Sequence, residues 1–288
     1  MLQMPPPTEP ATGDAIVWRG FTRAALDAAY DNSGAVSDSA ARLADWSRRS
    51  ADLRARQPQH LDLPYGPRQR NRLDLFRCGQ AKAPLLVFVH GGYWQRNSKE
   101  VFSCMAEGPL AYGFDVALPG YTLAPAASLT EIVAEIRAAI AWLRLQGPAL
   151  GIATGRLIVA GWSAGGHLAA TAMAWREVDA GLAISGIFDL EPIRLGVLNE
   201  KLRLTPDEAA ALSPLAHLPA RAGALVVAYG ESELPELQRQ SRDFAAAWRD
   251  AGLDGAVLPL PGKNHFSILE ELASPAGLLA RELARRFG

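Results

Sequence analysis

The sequence predicts an α/β protein: a mainly parallel central sheet with helices on both faces and a small helical cap or insertion. Three observations carry that expectation. Segments of strand character alternate with helical ones over most of the chain after residue 72, the pattern of βαβ units. The runs 84–89 and 157–160 are apolar at every position, as in strands buried on both faces. The second run leads directly into Gly161-Trp162-Ser163-Ala164-Gly165 and then into a helix-forming stretch, 166–175.

In chain order, residues 1–13 read as a loosely attached tail. From 22 to 56 the apolar spacing is helical, with Leu26, Ala29 and Tyr30 followed by Leu43, Trp46 and Leu53. Asp31-Asn32-Ser33-Gly34 breaks it into two helices. Residues 1–57 therefore form a tail and helical segment expected to pack on the core, with a lid over the site as the alternative. Residues 58–288 form the main domain. Stretch 72–78 alternates as an outer antiparallel strand would. After strand 84–89 come helix 99–112, strand 114–118, helix 129–146, strand 157–160 and a helix from 163. Strands 182–185 and 225–229, helix 235–251, strand 256–259 and helix 276–287 complete the series. Residues 189–221 break this rhythm and read as an insertion above the sheet. No internal repeat is present.

Composition narrows the function classes. With 288 residues, 49% hydrophobic and 20% charged, the chain can bury about three quarters of its unfolded surface in one core. A formal net charge of −1 supplies no broad field for nucleic acid or an anionic membrane, so neither is an expected partner. No apolar run approaches the ~20 residues that span a bilayer. Proline-rich residues 1–10 lack a basic start followed by an apolar stretch and do not read as a signal peptide. Cys78 and Cys104 form neither a disulfide framework nor a ligand cluster, so a cytoplasmic setting is expected. No H-E-x-x-H pattern, phosphate-cradling loop or dinucleotide fingerprint occurs, and no metal or cofactor is expected.

The chemistry-bearing residues start with Ser163. A strand that turns sharply into a helix at G-x-S-x-G holds its serine in a strained conformation with the hydroxyl exposed, and side chains at the flanking glycines would collide. The second motif, His90-Gly91-Gly92-Tyr93-Trp94, follows strand 84–89. Adjacent glycines let bare backbone approach a reacting carbonyl, so the N–H groups of Gly92, Tyr93 and Ala164 are candidates for an oxyanion hole. His90 reads as an organiser of that loop. Among His60, His90, His167, His217 and His265, only His265 follows the final strand, where a general base reaches the serine. An acid is expected after strand 225–229. Glu233 has two residues of loop in which to turn back toward His265, Glu231 is the alternative, and Glu236 is expected to face solvent from the next helix. Asp189 is a further candidate, or else a cap for the inserted segment.

These residues resemble the α/β-hydrolase superfamily and, within it, the kynurenine formamidase (arylformamidase) branch. That branch carries H-G-G-x-W, matched by His90, Gly91, Gly92 and Trp94. Similar stretches recur at Ser185-Gly186-Ile187-Phe188-Asp189-Leu190-Glu191-Pro192, Leu212-Ser213-Pro214-Leu215, Arg239-Gln240-Ser241-Arg242-Asp243-Phe244 and Asn264-His265-Phe266, so that the likeness covers roughly residues 61–272. It implies an α/β-hydrolase fold and a Ser163–Glu233–His265 triad, with the oxyanion held by Gly92 and its neighbour Tyr93. It also implies hydrolysis of an N-formyl aryl amine such as N-formylkynurenine. A general carboxylesterase for small esters is the alternative. Two positions depart from the branch: Glu233 stands where aspartate is usual, and Trp162 where histidine is common. The expected partner is a small acyl substrate, formamide or ester. Oligomeric state is left open, a homodimer included.

Trp94 and Trp162 flank the oxyanion loop and the nucleophile. Two indoles that near the reacting carbon could fill the space of a longer acyl chain, so that formyl fits where acetyl or butyryl clashes. Both are therefore candidate substrate-binding residues, and burial of one or both in the core is the alternative.

Overall fold

The computed structural model of the chain describes residues 15–288, so the tail expected at 1–13 lies outside the described residues. A short hairpin, β1 (Ile16–Trp18) and β2 (Phe21–Thr22), leads into α1 (Arg23–Ala29) and α2 (Ser39–Arg56). Then follow β3 (Leu63–Pro64), β4 (Arg72–Phe76), β5 (Leu85–Val89), α3 (Lys99–Phe102), α4 (Glu107–Ala111), β6 (Asp115–Pro119), α5 (Leu129–Gln146) and β7 (Leu157–Trp162). Next are α6 (Ala164–Ala172), β8 (Ala180–Ile184), the inserted α7 (Glu191–Leu195), α8 (Asn199–Leu202) and α9 (Pro206–Ala211), and β9 (Leu225–Gly230). The series closes with α10 (Pro235–Asp250), β10 (Gly255–Leu260), α11 (Glu270–Ala273) and α12 (Leu278–Phe287).

Eight strands form one sheet in the order β10-β9-β8-β7-β5-β6-β4-β3. Pairing is parallel from β10 to β6, and β4 and β3 run antiparallel at the edge. Strand order reverses beside β5, because β6 lies on one side of it and β7 on the other. The loops after β5 and β7 therefore diverge at their carboxyl ends, where open α/β sheets hold their ligands.

Side chains alternate along each buried strand and divide the core between the two faces. Leu85, Val87, Val89, Leu157 and Val159 face the layer with α5, α6 and α10. Leu86, Phe88, Ile158, Ala160 and Trp162 face the layer with α2, α3, α11 and α12. Helix α5 starts at a capping box: Ser128 accepts from the Glu131 N–H, and the Glu131 carboxylate accepts from the Ser128 N–H. The helix expected at 99–112 is broken into α3, a 3₁₀ turn (Ser103–Ala106) and α4. Pro109 has no N–H to donate to the preceding turn, which interrupts the ladder there.

Helix α2 is fastened to the sheet by Trp46, fully buried against Phe102, Trp162 and Phe266 at ring-centroid distances of 5.7, 6.0 and 6.1 Å. An ion cluster fastens it too. Asp74 of β4, fully buried, accepts from Lys99 Nζ at 2.8 Å and pairs with Arg54 of α2.

Candidate active site

Ser163 occupies the bend between β7 and α6 at φ 58° and ψ −117°, in the left-handed half of backbone space that side chains avoid. The glycines on either side are dictated by contact. A Cβ on Gly161 would lie 2.0 Å from the Gly165 carbonyl oxygen, and one on Gly165 would lie 2.0 Å from that of Val89. The bend is locked to the sheet by the Ser163 N–H donating to Ile184 O at 2.9 Å. The serine stands at the N-terminus of α6 without capping it, so developing negative charge there meets the positive end of the helix.

His265 and Glu233 approach from the loops after β10 and β9. Nδ1 of His265 donates to Glu233 Oε2 at 3.0 Å, which leaves Nε2 as the ring nitrogen without that proton. The other carboxylate oxygen, Oε1, accepts from the Gly230 N–H and from Ser185 Oγ, both at 2.6 Å. Glu233 is thus fully engaged in a site where it is 6% exposed. The remaining acid candidates are placed elsewhere. Glu231 is exposed, and the imidazole bonds Glu233 instead. Asp189 accepts from the Glu191 N–H at 3.1 Å and starts the inserted segment. Glu236 corrects an expectation: it is buried, not solvent-facing, because it pairs with Arg239 at 2.8 Å and accepts from Tyr30 Oη at 3.1 Å.

The loop after β5 is strained along three consecutive residues, with positive φ at Gly92 (121°), Tyr93 (51°) and Trp94 (57°). Gly92 O accepts from the N–H groups of Gln95 and Arg96, both at 3.0 Å, closing the turn. A Cβ on Gly91 would lie 2.7 Å from Trp162 O, so the loop touches the elbow by bare backbone. Among the described residues, the N–H groups of Gly92, Tyr93 and Ala164 donate to no protein acceptor. His90 organises this loop: its Nδ1 donates to Gly91 O at 2.9 Å and its ring stacks on Tyr121 at 4.3 Å. Burial lowers its pKa to about 4, which keeps it neutral.

Ser163 and His265 open into one small cavity of ≈ 70 Å³, with Gly92, Tyr93, Trp162 and Phe266 in its wall. A larger cavity of ≈ 440 Å³ lies between α10 and the β9–β10 edge, remote from the serine and without its partners. Trp162 lines the small cavity and steadies the base, its Nε1 donating to His265 O at 2.7 Å. Trp94 does not line it. The left-handed turn carries the Trp94 ring into the core, fully buried and edge-on to His167 at 5.1 Å, so its candidacy as a substrate-binding residue is withdrawn. Burial of so large an apolar body is the stronger tendency.

Several wall residues were not legible from motifs. Asn32, Ser33 and Leu43, from α2 and the turn before it, line the cavity, as does Arg96. The N-terminal helices therefore pack on the core and also border the site. Ser185, the partner of Glu233, follows β8 at φ 49°; a polar residue at the carboxyl end of a buried strand was the available signal.

Sheet order, elbow and flanking loops place the chain among the α/β-hydrolases. The BD-FAE family model matches residues 73–186. Kynurenine formamidase of Danio rerio is 30% identical over 243 residues, which cover 79% of this chain and 82% of that protein. Esterase LipQ of Mycobacterium tuberculosis is 28% identical over 240 residues, 72% of this chain and 57% of that protein. Among solved structures, a Silicibacter sp. TM1040 protein proposed to be a thioesterase superposes with a TM-score of 0.79 and 31% identity, over 89% of this chain and 97% of that one. The chain belongs to the kynurenine formamidase family, and it is a hydrolase of the arylformamidase type.

Proposed function

We propose that this enzyme hydrolyses an N-formyl aryl amine, with N-formylkynurenine as the substrate to test first, through a formyl-enzyme on Ser163. The observation that carries the reading is the convergence on one small cavity of a strained serine, a histidine already bonded to a buried carboxylate, and the residues Gly92 and Tyr93. Their backbone N–H groups, like that of Ala164 next to the serine, have no protein acceptor among the described residues.

Ser163 Oγ attacks the formyl carbon while its proton passes to His265 Nε2. The carbonyl electron pair moves onto oxygen, where the N–H groups of Gly92, Tyr93 and Ala164 receive it. Each donor fixed in advance is worth about a hundred- to a thousandfold in rate. Glu233 holds the imidazole in its Nδ1–H tautomer and stabilises the charged ring. The C–N bond then breaks as His265 gives its proton to the leaving amine. Water attacks the formyl-serine, its proton goes to His265, and formate leaves as Ser163 recovers that proton. Trp162, Phe266 and Leu43 line the same ≈ 70 Å³ cavity as Ser163, and so small a space suits an acyl group with hydrogen as its only substituent.

A small-molecule substrate is the only partner this reading needs. A cytoplasmic setting belongs to the same proposal, supported by Cys78 and Cys104, both free thiols. The test is formate release from N-formylkynurenine by the wild-type and Ser163→Ala enzymes. We expect turnover in the first and a loss on the order of a millionfold in the second, with the fold intact by circular dichroism. A folded Ser163→Ala enzyme that keeps a tenth of the activity excludes the serine mechanism.

A further inference from the structure

We infer that Asn32 Oδ1 accepts the N–H of the scissile amide and so sets a preference for amides over esters; the inference rests on the amide reading above. Asn32 is 3% exposed and lies in the wall of the cavity that holds Ser163 and His265. Its position is fixed by a tight turn, in which the Gly34 N–H donates to Asp31 Oδ1 at 2.9 Å and the Asn32 N–H donates to Tyr30 O at 3.0 Å.

The orientation of the Asn32 amide follows from counting protons. Tyr93 Oη lies 2.5 Å from Tyr30 O, and a carbonyl can only accept, so the single phenolic proton is spent there. Tyr93 Oη is then an acceptor toward Asn32, and the atom 2.8 Å away must be the donor Nδ2. Oδ1 is left over. It is buried and has no hydrogen-bond partner, an arrangement that native interiors avoid unless something else supplies the donor.

The reaction supplies one. When the leaving nitrogen of the tetrahedral intermediate takes a proton from His265, its lone pair must face Nε2. Its own N–H then points away from the histidine, toward another part of the wall. On this inference Asn32 Oδ1 lies at that part of the wall, where an acceptor stabilises the configuration that leads to C–N cleavage. An ester oxygen carries no hydrogen and gains nothing from it. The same side chain also supports the oxyanion loop through Tyr93, so the two roles have to be separated experimentally.

Formanilide and phenyl formate share acyl and aryl groups and differ in N–H against O. The measurement is kcat/KM for both, in wild-type, Asn32→Leu and Tyr93→Phe enzymes. Asn32→Leu removes the acceptor and the Tyr93 link. Tyr93→Phe breaks the link and keeps Oδ1. We expect Asn32→Leu to lower the formanilide to phenyl formate ratio by about tenfold, the effect of one hydrogen bond. Tyr93→Phe should lower both rates and leave the ratio where it was. An unchanged ratio in Asn32→Leu, or an equal fall in Tyr93→Phe, overturns the acceptor role while leaving the amide reading intact. A wild-type enzyme that cleaves phenyl formate and not formanilide overturns the amide reading itself, and the acceptor role with it. Should Asn32→Leu lose phenyl formate activity and circular dichroism together, Asn32→Ala serves for the same ratio.

Discussion

Glu233 shows how much of a site a single side chain can organise. One carboxylate oxygen holds His265, the other ties together Ser185 and Gly230, and the group is buried. Glu233→Ala should therefore lower kcat by about ten-thousandfold, the worth of a carboxylate that sets its histidine's tautomer. Glu231→Ala, in the same loop but exposed, should change it by a small factor; the reverse ranking contradicts the assignment. Ser163, Glu233 and the Gly92–Tyr93 loop could be read in the sequence because each follows a buried strand within a few residues, and His265 because it follows the final strand, β10 at the sheet edge. Trp94 could not be placed that way. Its neighbour in sequence reaches the cavity, but three left-handed residues in a row turn its own ring inward, and side-chain direction is invisible to spacing. Asn32 was illegible for another reason: it reaches the site from about 130 residues before the serine, and nothing local marks it.

Two elements carry stability that the catalytic residues do not reveal. Asp74 on β4, fully buried, pairs with both Lys99 of α3 and Arg54 of α2. Without it Lys99 keeps Asp62 and Glu100 as partners, and Arg54 keeps Asp62. Asp74 is nonetheless the fully buried carboxylate of the group, so Asp74→Ala should cost about 1.5–3 kcal/mol, the worth of hydrogen bonds to charged groups. A urea midpoint that moves by less than a tenth of the wild-type value speaks against that role. The second case is the pair of buried histidines on the β5 loop and α6. Burial lowers the pKa of His90 and of His167 to about 4, against about 6.5 in an unfolded chain. The unfolded chain takes up these protons as pH falls below 6.5, while the folded chain refuses them until about 4. Stability present above pH 6.5 is therefore lost progressively on the way down to 4. Thermal melts at pH 7, 5.5 and 4.5 should show a falling Tm, with a shallower fall in His167→Phe, which cannot charge. A flat profile would mean that the imidazoles reach water. The alternation of strand and helix was legible because parallel strands buried on both faces are uniformly apolar. The β1–β2 hairpin was not, since strands of three and two residues carry no period.

Across the whole molecule, the sheet sets the chemistry by geometry alone. Reversal of strand order beside β5 opens a crevice, and the loops after β5, β7, β8, β9 and β10 all deliver a residue to it or to its supports. The N-terminal segment closes the crevice on the remaining side. Trp46 braces Trp162 and Phe266 from below, while Asn32, Ser33 and Leu43 form wall. A space of ≈ 70 Å³ results, and on the proposed reading the acyl group has to be small to share it with the reacting serine. Formamidase activity on this fold is decided by kcat/KM along an acyl series, formyl, acetyl and butyryl, on one aryl amine. A steep fall at each step is expected, because added carbon overpacks the cavity instead of gaining contact. An enzyme that prefers butyryl to formyl would contradict it and leave a carboxylesterase.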